Sequence, residues 1–409
     1  MDIVGIIAEY NPFHNGHAYM LARVRQKYPS AGIVVVMSGS VTERGEVTVA
    51  DKWRRSRMAV QSGADLVLEL PTAFVLSSAQ NFALGGVALL NKLGCVNKLA
   101  FGAEFCDITA LRQAANYMDS AAGQEKITAQ VLDGHAYAAA ARRVLAEYTP
   151  VGKPQPNTVL AVEYLRAVNK LGAPLEPVPI ERNGAAHLDT VAQDAGTIAS
   201  ATAVRKMLLS GQAELRRRAQ QYLPPFAAGL LCESEFAVTE RLYTAFLSRL
   251  ATMSAPEIAA HIGVGEGLEQ RLLQVAQISG SLMDFVNRAA GKRYGTGRIG
   301  RVIMGLLLGF TAADQQRFLR KLPLYARVLA FNTHGRGILR RIKTASDMPL
   351  ITRVGPWLNR RDWQRDETTL SDGQQMLKLD IKATLLRGLA LPVPKLTCSD
   401  YLTSPVYLP

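Results

Sequence analysis

Ile3 to Ala8 and Gly32 to Met37 are short, continuous apolar runs rich in β-branched residues, the pattern of strands buried on both faces. Between them Gly16 to Lys27 carries helical spacing and stops before Pro29, giving a strand–helix–strand unit. The alternation continues with a helix over Asp51 to Ser62 ended by Gly63, a strand over Asp65 to Leu70 ended by Pro71, a helix over Ser78 to Leu93 and a strand over Lys98 to Gly102. A further strand is predicted over Leu175 to Ile180, after a helical insertion carrying Asn157 and Leu160 to Tyr164. Strands and helices alternating at these lengths predict an α/β fold, a doubly wound, Rossmann-like parallel sheet with right-handed crossovers. Such sheets bind ligands at the carboxyl ends of their strands.

Beyond about Arg216 the pattern changes to amphipathic helices with short loops, and no clear strand is expected until Leu350 to Arg353. A chain of 409 residues exceeds one ordinary core. The expected division is a catalytic domain over residues 1–218 and a mainly α-helical domain over 219–409, with the boundary between Ala219 and Pro225. No internal repeat or low-complexity tract interrupts either part.

Composition narrows the class. With 48% hydrophobic and 20% charged residues, the chain belongs with packed globular proteins. A formal charge of +13 and a pI near 9.7 attract polyanions before any specific contact forms. Cys95, Cys106, Cys232 and Cys398 are scattered, without metal-ligand or disulfide spacing, so no metal site is expected and a reducing compartment fits. Met1-Asp2-Ile3-Val4-Gly5 lacks the layout of a signal peptide, and Val302 to Phe310 is far shorter than the ~20 residues of a membrane span. A soluble cytoplasmic protein, with neither membrane nor DNA as partner, is the expectation.

The chemistry concentrates after the first strand. Glu9 to His17, reading Glu-Tyr-Asn-Pro-Phe-His-Asn-Gly-His, forms a strand-to-helix loop, where backbone amides and the positive helix end favour phosphate. His14 and His17, three residues apart, share one face of the first helical turn and can stabilise charge developing on an α-phosphate. Gly16 lets a nucleotide approach the backbone. Ser200-Ala201-Thr202-Ala203-Val204-Arg205-Lys206 opens a later helix with hydroxyls and a guanidinium, a clamp for the β- and γ-phosphates as well as an ordinary cap.

These two loops, in this order, resemble the HIGH-type nucleotidyltransferase superfamily, in which an H-x-G-H loop and an S-x-T-x-x-R loop hold a triphosphate. Within it the chain resembles the bacterial tRNA(Met) cytidine acetate ligase family. The likeness rests on Gly5 to His17, Met37-Ser38-Gly39, Arg44-Gly45-Glu46, Asp51-Lys52-Trp53, Gly63 to Pro71, Phe101-Gly102, Asn157 and Arg182. It continues late in the chain at Lys292-Arg293-Tyr294, Arg298, Arg301, Arg327 to Asn332, Gly335 and Ile342-Lys343. Ser40-Val41-Thr42-Glu43 departs from the more polar family pattern.

The resemblance implies that ATP activates acetate as acetyl-adenylate, releasing pyrophosphate, and that the exocyclic amine of the wobble cytidine of elongator tRNA(Met) takes the acetyl group. His14 and His17 would be catalytic. ATP would lie against Ile7, Ala8, Glu9, Tyr10, Asn11, Pro12, Phe13, Asn15, Gly16 and Met20, with Gly102, Asn157, Arg182, Ser200, Thr202 and Arg205 completing the site. Mg²⁺ is expected on the phosphates rather than in a carboxylate cage. Two basic clusters suit an RNA backbone: Lys292, Arg293, Arg298 and Arg301 in an acid-free stretch, and Arg336, Arg340 and Lys343. Two alternatives share the phosphate loops or the charge: a small-molecule adenylyltransferase of pantetheine-phosphate or nicotinamide-nucleotide type, and a non-catalytic nucleotide- and RNA-binding protein.

Overall fold

The structure, a computed structural model, describes residues 2–148, 156–182, 198–232, 235–364 and 367–409. Its first strand, β1 (Ile3–Ala8), is buried at every position except a half-buried Ala8, as a continuous apolar run requires. Helix α1 (Asn15–Lys27) returns the chain to β2 (Gly32–Ser38), also fully buried. There follow α2 (Lys52–Gln61), β3 (Leu66–Leu70), α3 (Ala79–Lys92), β4 (Lys98–Ala103), α4 (Pro156–Leu171) and β5 (Glu176–Glu181). These five strands pair in parallel in the order β5-β4-β1-β2-β3. One face of the sheet packs Ile7, Val34 and Leu68 with Phe82 and Leu90 of α3, and the other packs Ile6 and Val35 with Leu21 of α1 and Met58 of α2. Strand order reverses between β1 and β4, and their carboxyl ends form the crevice where such sheets take ligands.

The later chain adds α5 (Ala201–Leu209), α6 (Thr296–Leu308), β6 (Ala326–Asn332), α7 (Thr333–Ala345), β7 (Leu350–Ile351), α8 (Asp372–Leu389) and β8 (Val406–Leu408). The expectation of no strand before Leu350 is corrected here. Strand β6 pairs antiparallel with β3, and β7 and β8 both pair with β6. The sequence concealed β6 because Arg327 interrupts its apolar run. In the fold Arg327 is buried between Glu69 of β3, 3.2 Å away, and Asp400. Lys52 Nζ, fully buried, lies 2.7 Å from both of these carboxylates. The Asp51-Lys52-Trp53 element thereby acquires a physical reason. Asp51 caps α2 through the Arg54 N–H, and Lys52 joins an early helix to the last residues of the chain.

Among the described residues no helix is long and apolar enough to cross a membrane.

Candidate active site

Tyr10, directly after β1, adopts a left-handed backbone (φ 50°), which a non-glycine residue holds only when its surroundings impose it. The buried Tyr10 ring supplies that constraint, packing edge-on against Phe13 and His17 at centroid distances of 4.8 and 4.7 Å. Asn11 Oδ1 accepts the Val49 N–H at 2.9 Å. Arg55, fully buried, donates to the carbonyls of Glu9 (2.6 Å) and Ser38 (3.1 Å), tying together the carboxyl ends of β1 and β2.

The two histidines are locked by the backbone they cap. His14 Nδ1 accepts the Gly16 N–H at 3.0 Å, and His17 Nδ1 accepts the His14 N–H at 3.2 Å. Their rings lie 3.8 Å apart between centroids. Burial, with Arg182 and Arg205 nearby, lowers the His14 pKa to about 3. Burial first, then the neighbouring His14 and Arg182, lowers His17 well below the ordinary value. Both imidazoles are therefore neutral, with Nδ1 occupied and the proton on Nε2, and each offers an N–H as a donor.

A cavity of about 330 Å³ opens at the switch point, within the range of small-molecule sites. Of the residues predicted for ATP it is lined by Ile7, Ala8, Glu9, Tyr10, Asn11, Gly16, His17, Met20, Gly102, Asn157, Arg182 and Arg205. The others do not line it. Pro12 and Phe13 shape the loop, and the Phe13 ring is fully buried in the core. The His14 ring is 2% exposed and stacks beneath His17. Asn15 is turned away, its side chain donating to the Gln221 carbonyl at 3.1 Å. Ser200 caps α5 by accepting the Ala203 N–H at 3.2 Å, and Thr202 Oγ1 accepts from Arg205 at 3.3 Å. Arg205 also donates to the Asn11 carbonyl at 2.9 Å, which clasps the second loop to the first.

The glycines at the site, Gly16 and Gly102, also sit close to side chains of the predicted site. A Cβ on Gly16 would meet His14 Cε1 at 2.8 Å, and one on Gly102 would meet Arg182 Cγ at 3.1 Å. Each glycine thus leaves the space that the neighbouring His14 or Arg182 side chain occupies. Asn157 donates to Glu104 at 2.5 Å, holding the start of α4 at the rim.

Part of the wall was not legible in the sequence. Glu43 and Arg44 line the cavity from the loop after β2, and Phe82, Phe101, Leu160 and Tyr164 line it from the opposite side. The loop is folded back by a Val41–Val47 bridge and held by later residues: Ser40 to Thr384 at 2.9 Å, Glu43 to Arg301 at 2.8 Å, and Arg387 to the carbonyls of Thr48 and Val49 at 2.8 Å. The signal available was the Arg44-Gly45-Glu46 element. Gly45 (φ 75°) sits where a Cβ would fall 2.1 Å from the Gly300 backbone, so this loop docks directly on α6.

The predicted RNA contacts separate. Arg301 faces Glu43 at the cavity wall. Lys292 and Arg293 are exposed, Lys292 Nζ donating to the Asp133 carbonyl at 3.0 Å. Arg298 donates to the Gly263 carbonyl at 2.8 Å and lies over the Tyr294 ring at 4.9 Å. Arg336, Arg340 and Lys343 are exposed on α7. The cap of α7, Asn332, bonds Asp65 at 2.9 Å, and its end adjoins Gly94, so α7 crosses the amino ends of β3 and β4, away from the cavity. A second cavity, about 470 Å³ and bounded by Leu208, Leu223, Leu231, Phe236 and Arg241, collects none of the predicted site residues.

A switch-point cavity with an H-x-G-H helix start and a clasping arginine defines a nucleotidyltransferase, and the family model described as HIGH Nucleotidyl Transferase matches residues 1–398. Among curated relatives, the tRNA(Met) cytidine acetate ligase of Clostridium perfringens is 31% identical over 421 residues, covering 99% of each chain. That of Alkaliphilus metalliredigens is 34% identical, covering 100% of this chain and 99% of its own. The crystal structure of Thermotoga maritima TmcAL bound with alpha-thio ATP superposes with a TM-score of 0.87 at 27% identity, covering 100% of both chains. The chain belongs to the tRNA(Met) cytidine acetate ligase family.

Proposed function

We propose that the protein activates acetate with ATP, forming acetyl-adenylate and pyrophosphate, and transfers the acetyl group to the exocyclic amine of the wobble cytidine of elongator tRNA(Met), forming N4-acetylcytidine. The observation carrying this reading is the pair of neutral histidines, each with Nδ1 engaged and an N–H left to donate, beside Arg182 and Arg205 at the switch point. Acetate is already ionised at neutral pH. Its attack on the α-phosphate needs alignment and charge stabilisation rather than a base, and fixed N–H donors with two guanidiniums supply both.

Among the described residues no three His, Cys, Asp or Glu side chains converge as a metal site. A Mg²⁺ arriving with ATP would ride on phosphate oxygens and water, neutralising phosphate charge. The residues up to 218 hold the triphosphate, and the exposed Lys292 and Arg293, with Arg298, are assigned to tRNA phosphates. A tRNA substrate fits work in the cytoplasm. The deciding experiment incubates the protein with ATP, acetate and elongator tRNA(Met), then weighs the wobble cytidine by mass spectrometry. The expected result is the gain of one acetyl group in place of one hydrogen, dependent on both ATP and acetate. Pyrophosphate exchange driven by phosphopantetheine or a mononucleotide, and not by acetate, would instead identify a small-molecule adenylyltransferase.

A further inference from the structure

Acyl transfer to a cytosine amine poses a problem that acetate activation does not. The amine is neutral and its lone pair is drawn into the ring, so it must shed a proton as it attacks. His14 and His17 cannot take that proton, because Nδ1 of each already accepts a backbone N–H and Nε2 already carries hydrogen. Glu43 is engaged with Arg301 at 2.8 Å, Glu46 pairs with Arg205 at 3.3 Å, and Glu181 is exposed at the rim.

Glu9 differs from all of these. It follows β1 directly and lines the cavity together with His17, Tyr164 and Phe82. Oε1 accepts the Glu43 N–H at 2.6 Å, and among the described residues this is the one hydrogen bond its carboxylate makes, with no cation at ion-pair distance. Arg55 holds its carbonyl at 2.6 Å, so the residue is fixed at both ends while Oε2 stays open.

Resting on the function proposed above, we infer that Glu9 is the general base of the second half-reaction. The amine nitrogen bonds to the acetyl carbonyl carbon, and the proton passes from nitrogen to Glu9 Oε2. The carbon–oxygen bond to phosphate breaks, AMP leaves with the electron pair, and Glu9 later releases its proton to water. The surroundings suit this task. Burial raises the Glu9 carboxyl to about 7, Glu43 and Glu46 push the same way, and the Glu43 N–H and Arg205 oppose them. Arg44, Arg182 and the hydroxyls of Tyr10, Tyr19 and Tyr164 are further ionisable groups of the cavity wall. A base of that pKa is half-deprotonated near neutrality, where general-base catalysis is most effective.

The test separates the half-reactions in Glu9→Gln. Acetate-dependent pyrophosphate exchange should fall by less than about tenfold, while single-turnover acetyl transfer to tRNA falls by about 10²–10³. In the wild type the transfer rate should climb through a limb near pH 7 that is absent from Glu9→Gln. Glu9→Asp, which keeps a carboxylate, should recover part of the transfer rate. Equal losses in both half-reactions would make Glu9 an ATP-positioning residue and overturn the inference, as would transfer at the wild-type rate. If Glu9→Gln does not fold, a wild-type transfer rate flat between about pH 6 and 8 overturns it independently. A wild type without acetate-dependent exchange would instead sink the proposed function itself.

Discussion

His14 uses its two ring nitrogens differently, Nδ1 capping α1 and Nε2–H left as a donor for the proposed chemistry. His14→Ala and His17→Ala should each slow acetate activation by about 10²–10³, the usual worth of a transition-state donor, and weaken ATP binding far less. An unchanged kcat with only a raised KM would remove the catalytic role. His14→Asn separates the functions, since asparagine can keep the cap acceptor and cannot supply the imidazole N–H. Because the folded His14 pKa is depressed from 6.5 to about 3, its stabilising contribution is present above pH 6.5 and is lost as pH falls toward 3. Glu9, raised from 4.5 to about 7, acts in the opposite sense across that window, so the comparison of variant with wild type carries the prediction. Urea midpoints should fall less between neutral and acid pH in His14→Asn than in wild type; equal slopes would mean that His14 titrates normally. At this scale the histidine pair was legible because sequence spacing fixes which helix residues share a face. Glu43 and the buried Arg55 were not, since their importance depends on a loop and a carbonyl brought near only by folding.

The strands read most directly are those with unbroken apolar runs. β1 and β2 are continuous apolar runs, and β3 and β4 keep apolar runs around Glu69 and after Lys98, so all four are legible, whereas β6 carries Arg327 at a buried position near its start. What permits that arginine is a charge cluster spanning the chain: Lys52 on α2, Glu69 on β3, Arg327 on β6 and Asp400 near the end. Burial pushes the Asp400 carboxyl up, and its two cations overcome that push and hold it at about 2. The cluster fixes β6 against β3 at buried positions where water cannot substitute. Asp400→Ala would leave Lys52 and Arg327 sharing Glu69 alone and should cost about 3–5 kcal/mol, the usual penalty for breaking a buried pair. A depressed carboxylate stabilises above its unfolded pKa, so the wild type should lose this contribution as pH falls from 3.8 toward 2, and Asp400→Ala should show no such loss. Denaturant unfolding of the variant within about 0.5 kcal/mol of wild type would reduce the cluster to a neutral exchange of charge for packing.

For the whole molecule, the +13 charge is informative only once its position is known. Lys292 and Arg293 adjoin the segment around Asp133, and the nearby Arg301 reaches the cavity wall through Glu43, whereas Arg336, Arg340 and Lys343 ride on α7 across the amino ends of the sheet. Sequence placed both clusters late in the chain without revealing that the fold sends them to different sides, because that separation depends on β6 and α7 wrapping the sheet. On the proposed function a wobble base enters the cavity, and the phosphates flanking it would then fall on the side of the first cluster. Replacing Lys292, Arg293 and Arg298 by Ala should therefore leave acetate-dependent pyrophosphate exchange within about twofold of wild type and abolish tRNA acetylation at moderate salt. The dependence of log K for tRNA on log salt should become shallower by about 0.7–0.9 for each phosphate that is no longer neutralised. Arg298 also bonds the Gly263 carbonyl, so intact exchange doubles as the control for folding. The matching variant with Arg336, Arg340 and Lys343 replaced should weaken tRNA acetylation less. A larger loss there, with normal tRNA affinity in the first variant, would move the RNA path to the α7 side and require the cytidine to reach the cavity by another route.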